Sequence, residues 1–283
     1  MDQDKRDRAY KAAAHITREQ LRRDAPERAR ALDAVKQSDV VVVAGIYDHV
    51  ESVLEALEVP HTVIGTGDVE RVDLRPEQLL IVNCPGVVSA VAITRIRAFV
   101  ETGGSLFTTD WALRHVLEPA FPGVLAFDKA PTPDDVVRIE VRDADNIYLQ
   151  GVLDGQDDPQ WWLEASSYPI SIVDKERVEV LITSRELGEK YGASPVAVWF
   201  RWGEGDVFHM ISHYYLQRTE LRTARHGSSA GAYFAEKGMA MTMDMCAEYA
   251  DLSLADVESA KPSAAFMSNV IIEKKRRQGK KES

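Results

Sequence analysis

The chain has 283 residues, 45% hydrophobic and 28% charged, and a net charge of −11. This is the composition of a globular protein with a full core, and it excludes collagen, a coiled coil and disorder along the whole chain. No stretch approaches the ~18 apolar residues of a membrane helix, and the charged first residues lack the apolar segment of a secretory signal. Two cysteines are too few for a disulfide framework. We therefore expect a cytoplasmic protein without a membrane span.

The charge is divided unevenly along the chain. Residues 274–283 carry a net charge of +5, so residues 1–273 carry −16. Such an acidic body repels phosphate backbones, and we expect no nucleic acid to bind the folded part. The basic end predicts a solvated, flexible tail over residues 251–283.

Residues 1–37 predict a helical arm. Apolar residues recur at helical spacing from Leu21 to Val35, and Pro26 after Asp24 suits the first turn of a second helix. Because the apolar stripe is thin and the rest is charged, we expect the arm to pack along one side of the protein. A homo-oligomer built on this arm is one prediction.

Residues 38–250 have the pattern of an α/β domain. Apolar strands that are covered on both faces are predicted at residues 39–45, 61–65, 79–84 and 105–110. Helices are predicted between them at residues 49–59 and 90–102, and another begins at residue 112. Buried strands that alternate with helices indicate a flavodoxin-like, doubly wound parallel sheet.

Antiparallel strands are predicted after this parallel core. An insertion of about residues 122–198 contains short strands with alternating hydrophobicity, at residues 136–142, 147–152, 170–173 and 178–183. A hairpin pattern follows over residues 195–212, and a helix is predicted over residues 231–249. We expect an antiparallel extension of the sheet, with helical arms at both ends of the chain.

Ligands of open parallel sheets bind at the carboxyl ends of the strands, so the residues that follow the predicted strands are candidates for a site. They are Asp48, His49, Asn83, Cys84, Thr109, Asp110, Trp111, His213 and Tyr215. The turn after the first strand holds one glycine and a bulky tyrosine, so it lacks the dinucleotide fingerprint, and the chain has no P-loop.

Three segments, IVNCPG, VETGGSLFTTD and PVAVWFRWGEGDVFHMISH, resemble the class I glutamine-amidotransferase-like superfamily, above all its ThuA-like, non-amidotransferase branch. The resemblance covers about residues 39–215. In that family a nucleophilic cysteine occupies the turn where this chain has Asp110, and a glutamate lies two residues after the catalytic histidine. Here His213 matches the histidine, but Tyr215 replaces the glutamate. The resemblance therefore implies the fold without glutaminase activity.

Asp110 and His213 form the candidate pair of this sequence. They fit a structural carboxylate–imidazole bond, a general base acting on water or, together with Asp48 and His49, a divalent metal site. Asp110 also fits an N-cap of the helix that follows it. Cys84 at a strand end fits a small buried apolar side chain.

Two functions are compatible with these residues. The first is a catalytically degenerate domain, a pseudoenzyme, that needs no cofactor and works as a binding or scaffolding module for a protein partner. The alternative is a ThuA-like hydrolase or sugar-modifying enzyme that uses Asp110 and His213, with or without a divalent metal. An enzyme requires these side chains to line an open pocket, whereas a scaffold allows them to be buried and covered by the insertion.

Overall fold

The computed structural model describes residues 3–214 and 218–281. Its strands are β1 Val40–Val43, β2 Thr62–Ile64, β3 Leu79–Val82, β4 Ser105–Thr109, β5 Leu125–Ala126, β6 Asp135–Arg138, β7 Glu140–Val141, β8 Gln160–Leu163, β9 Ser171–Ile172, β10 Glu179–Thr183, β11 Pro195–Trp202 and β12 Gly205–Met210. Its α-helices are α1 Gln3–Asp24, α2 Pro26–Asp33, α3 Val50–Ala56, α4 Ala90–Glu101, α5 Glu118–Ala120, α6 Arg185–Tyr191, α7 Ala230–Glu236, α8 Met243–Glu248 and α9 Leu254–Lys281.

Eight strands form the central sheet in the order β2–β1–β3–β4–β12–β11–β10–β7. The first five run parallel, and the last three add to β12 in antiparallel fashion. Every residue of β1, β3, β4 and β12 is buried, which the continuous apolar sequences of β1 and β3 predict for those two strands. The predicted fold class, a parallel core with an antiparallel extension, is confirmed.

Aromatic side chains fill both faces of this sheet. On one face the ring of Phe266, from α9, packs edge-on against Phe107 and Phe208, from the adjacent strands β4 and β12. On the other face Phe121 packs edge-on against Phe200 of β11. Helices α1 and α9 pack against each other, so the predicted helical arms at the two ends of the chain meet.

The prediction of a flexible tail over residues 251–283 is wrong for the part that the structure describes. Helix α9 begins at Leu254, and every residue from 254 to 273 is buried. Residues 254–273 have the apolar content of a core helix. The charged residues that follow them lower the average hydrophobicity of the whole segment, so the average alone does not indicate a buried helix. The carboxyl-terminal helix is therefore part of the α/β domain.

The basic residues of α9 bind the amino edge of the sheet. Lys274 donates hydrogen bonds to the carbonyl oxygens of Pro76 and Gly103, at 2.6 and 2.7 Å, just before β3 and β4. Lys275 forms an ion pair of 2.7 Å with Asp39, just before β1. These cations satisfy acceptors that precede the strands, and they also interact favourably with the carboxyl end of the helix dipole.

Two predicted elements of secondary structure differ in the structure. Residues 147–152 form turns instead of a strand, because Asn269 and Lys261 of α9 donate hydrogen bonds to their carbonyl oxygens. The helix predicted over residues 231–249 is divided into α7 and α8, because Gly238 between them adopts a left-handed φ of 73°. Within residues 3–214 and 218–281, no helix has the length and apolar character needed to cross a bilayer.

Candidate functional site

Asp110 and His213 lie together at the carboxyl edge of the sheet. Asp110 follows β4 and His213 comes three residues after β12, its parallel neighbour. The Oδ2 atom of Asp110 is 3.2 Å from Nε2 of His213, and both side chains are at most 2% exposed. The strand assignments made from the sequence predict this proximity, and the structure contains it.

The backbone makes a sharp turn at Asp110, directly after β4. Its φ is 42°, in the left-handed region that a residue with a side chain seldom adopts. The interpretation of Asp110 as an N-cap is wrong, because its carboxylate turns to the insertion. There it accepts hydrogen bonds from the Ser167 hydroxyl at 3.0 Å and from the Tyr168 backbone N–H at 2.7 Å.

A second carboxylate contacts the other nitrogen of His213. The Oε2 atom of Glu164, just after β8, is 3.1 Å from Nδ1. Burial opposes the charged imidazolium, but Asp110, Cys84 and Glu164 outweigh that effect and raise the pKa of His213 well above its usual value. Glu164 is not among the residues predicted from the sequence, because β8 belongs to a separate two-stranded sheet.

Cys84 completes the group around His213. Its sulfur, the Asp110 carboxylate and a His213 ring nitrogen all lie within 4.8 Å of one another, and all three residues are buried. Burial raises the pKa of the Cys84 thiol, and the contact with His213 partly offsets this. The burial agrees with the interpretation of Cys84 as a packing residue, but its polar surroundings do not follow from that interpretation.

Asp48 and Thr109 hold the backbone around this group. Asp48 is fully buried, and its Oδ1 accepts hydrogen bonds from the backbone N–H groups of His49 and Tyr214, both at 2.8 Å. The Thr109 hydroxyl oxygen accepts a hydrogen bond of 3.0 Å from the Cys84 backbone N–H. These bonds fix the turns that carry Cys84 and lead from β12.

His49 and Asn83 point to a different partner. The Nδ1 atom of His49 is 3.1 Å from Glu51 Oε1, and the Asn83 amide donates a hydrogen bond of 2.9 Å to Glu51 Oε2. The His49 side chain is 40% exposed and does not join the group of Cys84, Asp110 and His213. The remaining predicted site residue, Tyr215, lies outside the described residues.

A row of aromatic rings covers the site. Trp111 packs edge-on against Tyr47 at 5.4 Å between ring centroids and stacks on Tyr168 at 5.5 Å. Tyr168 in turn stacks on Phe127 at 3.7 Å. The Trp111 indole also donates a hydrogen bond of 2.7 Å to the Ser166 carbonyl oxygen, so the insertion is bound to the edge of the sheet.

The turn after β3 requires glycine at residue 86. Its φ is 67°, and a Cβ atom there would lie 2.8 Å from the Cβ of Ala112. We expect Gly86→Ala to lower the free energy of unfolding by about 2 kcal/mol, about half from the left-handed backbone and half from the overlap. Gly123→Ala is the matched control, because Gly123 also has a left-handed φ, of 80°, but a Cβ atom added there would have no neighbouring atom within 4 Å. Equal losses in urea unfolding of the two variants would contradict the close packing of this turn.

Neither a known protein-family model nor a curated protein matches the chain. Similar solved structures include a putative GMP synthase protein from Thermoplasma acidophilum, with 12% identity and a TM-score of 0.49 over 85% of this chain and 96% of that one. Another is a cytoplasmic protein from Salmonella typhimurium, with 11% identity and a TM-score of 0.45 over 62% of this chain and 88% of that one.

A β-galactosidase from Rahnella sp. R3 is also similar, with 15% identity and a TM-score of 0.45 over 63% of this chain. This chain spans only 29% of the length of that enzyme. These likenesses concern the fold and not the activity. The structure itself has the predicted α/β fold, with a parallel core and an antiparallel extension.

Proposed function

We propose that this protein is a catalytically degenerate amidotransferase-like domain that binds a protein partner. The observation that carries the proposal is the burial of Asp110, the residue at the position of the family's nucleophile, which is only 1% exposed. A nucleophile or general base must touch its substrate. Asp110 instead has both carboxylate oxygens bound by the insertion, through Ser167 and Tyr168.

The residues around Asp110 support the same conclusion. A glutaminase of this type needs a thiolate at the turn after β4, and this chain has a carboxylate there. Cys84 is the one nearby thiol, and burial raises its pKa, which disfavours the reactive thiolate. The candidate pair therefore fastens the insertion to the sheet, which is a structural role.

An exposed apolar surface lies beside the covered site and is suited to a protein partner. Ile46, Val87 and Val91 are 71%, 56% and 57% exposed, and Tyr47 is 41% exposed. Ile46 and Tyr47 donate backbone hydrogen bonds to the Cys84 carbonyl oxygen, so they adjoin the turn that leads to Val87. Clustered exposed apolar side chains of this kind mark interaction surfaces.

The binding function is tested with two charged variants of the full chain, one on the apolar surface and one away from it. In Ile46→Glu/Val87→Glu the apolar surface gains two carboxylates, whereas Val63→Glu introduces one carboxylate at a residue that is 49% exposed on the edge strand β2. We expect a partner that co-purifies from the native host with the wild type and with Val63→Glu to be lost with the double variant, since an unpaired buried carboxylate is costly at an interface. Equal recovery with all three proteins would contradict the assignment of this surface.

A ThuA-like hydrolase or sugar-modifying enzyme remains the alternative, and Glu164 is the observation that favours it. The family's glutamate two residues after the histidine is missing here, and Glu164 places a carboxylate next to His213 instead. The Glu164 side chain is 32% exposed. Turnover distinguishes the two functions. We expect the wild type and Asp110→Ala to release no ammonia from glutamine and no product from a panel of glycosides and esters. Activity that is present in the wild type and lost in Asp110→Ala would favour the enzyme.

A further inference from the structure

The group formed by Cys84, Asp110 and His213 combines three kinds of metal ligand at one point. A thiol, a carboxylate and an imidazole come from the ends of three neighbouring strands, β3, β4 and β12, and their ligand atoms lie within 4.8 Å of one another. The Asp110 oxygen and the His213 nitrogen are 3.2 Å apart. Two ligands of a tetrahedral zinc ion, each about 2.1 Å from the metal, are separated by roughly 3.4 Å, so the observed spacing suits such an ion.

The His213 ring is oriented as a metal ligand is. Its Nε2 faces Asp110, and its Nδ1 is 3.1 Å from Glu164. A histidine that ligates a metal usually has a carboxylate or a carbonyl oxygen at its other nitrogen, which fixes the ring and its tautomer. Both contacts have ion-pair lengths, but neither N–H bond is directed closely enough at its carboxylate to form a hydrogen bond. Both nitrogens of the fully buried imidazole are therefore unsatisfied, and one of them, Nε2, faces the ligand group.

The Asp110 carboxylate is supported in the same way. The Ser167 hydroxyl donates to its Oδ2 and the Tyr168 N–H to its Oδ1. Hydrogen bonds of this kind hold a ligating carboxylate in place.

The charge around the group also favours a cation. The carboxyl groups of Asp48, Asp110 and Glu164 are near His213, and no ion pair within residues 3–214 and 218–281 joins any of them to a lysine or an arginine. Among these residues the His213 imidazole is the only cationic side chain within ion-pair distance of Asp110 and Glu164. Buried charges are stable when they are paired or when they bind a metal.

We propose that Cys84, Asp110 and His213 bind a zinc ion that joins the carboxyl ends of β3, β4 and β12. A thiolate ligand disfavours magnesium and calcium, which bind oxygen ligands, and a mixed set of sulfur, nitrogen and oxygen suits zinc. The fourth position is left for a water molecule or another side chain. The proposal goes beyond the proposed function and does not depend on it, because the zinc ligands are buried beneath the insertion whereas the partner would bind the exposed side chains beside them.

The first test measures zinc and cobalt binding by the full chain after treatment with a chelator. We expect the wild type to bind one zinc per chain, and its cobalt form to show the near-ultraviolet absorption of a cobalt–thiolate bond. The chain has only two cysteines, and Cys246 is exposed. Cys246→Ser should therefore retain both properties, and Cys84→Ser should lose both. The Cys246→Ser result identifies the sulfur ligand even where Cys84→Ser does not fold.

The second test addresses the orientation of His213. Glu164→Gln removes the negative charge beside Nδ1 of His213 and should weaken zinc binding by roughly 10–100-fold, the usual effect of altering the carboxylate next to a ligating histidine. Glu176→Gln, at an exposed residue of the same insertion, should leave the affinity unchanged. The proposal is overturned when the reconstituted wild type binds no stoichiometric zinc, when the cobalt–thiolate absorption is absent from Cys246→Ser, or when Glu164→Gln binds zinc as tightly as Glu176→Gln does.

Discussion

Phe266→Ala is expected to lower the free energy of unfolding by about 3–5 kcal/mol, the range for removing a buried phenylalanine from a packed core. Phe266 is fully buried in α9, and its ring contacts Phe107 and Phe208 on two central strands. The substitution leaves a cavity between the carboxyl-terminal helix and the sheet, which neighbouring rings cannot fill without leaving their own rotamers. Equilibrium unfolding in urea measures the loss.

The control for this prediction is a large apolar residue outside the core. Met243 is 89% exposed, and Met243→Ala should change the free energy of unfolding by no more than about 0.5 kcal/mol. Phe266→Leu, which retains much of the apolar volume, should lie between the two. A loss below about 1 kcal/mol for Phe266→Ala would contradict the inclusion of α9 in the core.

The parallel core could be predicted from the sequence because each strand carries its own signal. Residues 40–43 and 79–82 are apolar and branched without interruption, which a strand covered on both faces requires. The carboxyl-terminal helix could not be predicted in the same way. Its buried polar residues, such as Lys261 and Asn269, find their partners in turns more than a hundred residues away, and no local pattern contains that pairing.

The candidate site was predictable to the extent that it follows from strand order. Asp110, His213 and Cys84 end neighbouring parallel strands, so the topology alone brings them to one edge. Glu164 and Ser167 reach the same place from the insertion, whose short strands pair outside the main sheet. Their positions depend on the tertiary path of that insertion. The one signal in the sequence was that Glu164 directly follows the apolar strand β8. That signal does not indicate that Glu164 lies next to His213.

Lys261 presents a second case in which burial decides the chemistry. Its side chain is 1% exposed, and its ammonium group donates a hydrogen bond of 2.6 Å to the Gly151 carbonyl oxygen. Asp157 lies 3.9 Å away but also pairs with Lys237 at 2.6 Å. Burial lowers the pKa of Lys261 to about 8, and the attraction of Asp157 offsets only part of this effect. The unfolded chain has the ordinary lysine value of about 10.4.

The sign of the resulting pH dependence follows from these two pKa values. Between pH 8 and pH 10.4 the unfolded chain keeps a proton on Lys261 that the folded chain has lost, so the contribution of Lys261 to stability rises with pH in that window and falls as the pH is lowered through 8. The full change is about 3 kcal/mol.

We expect the difference in free energy of unfolding between the wild type and Lys261→Met to grow in favour of the wild type from pH 8 to pH 10. Below pH 7 both states are protonated, and the difference should be constant, which provides the internal control. Urea unfolding of both proteins at each pH measures it, and a difference that stays level or shrinks above pH 8 would show that Lys261 keeps its proton in the fold.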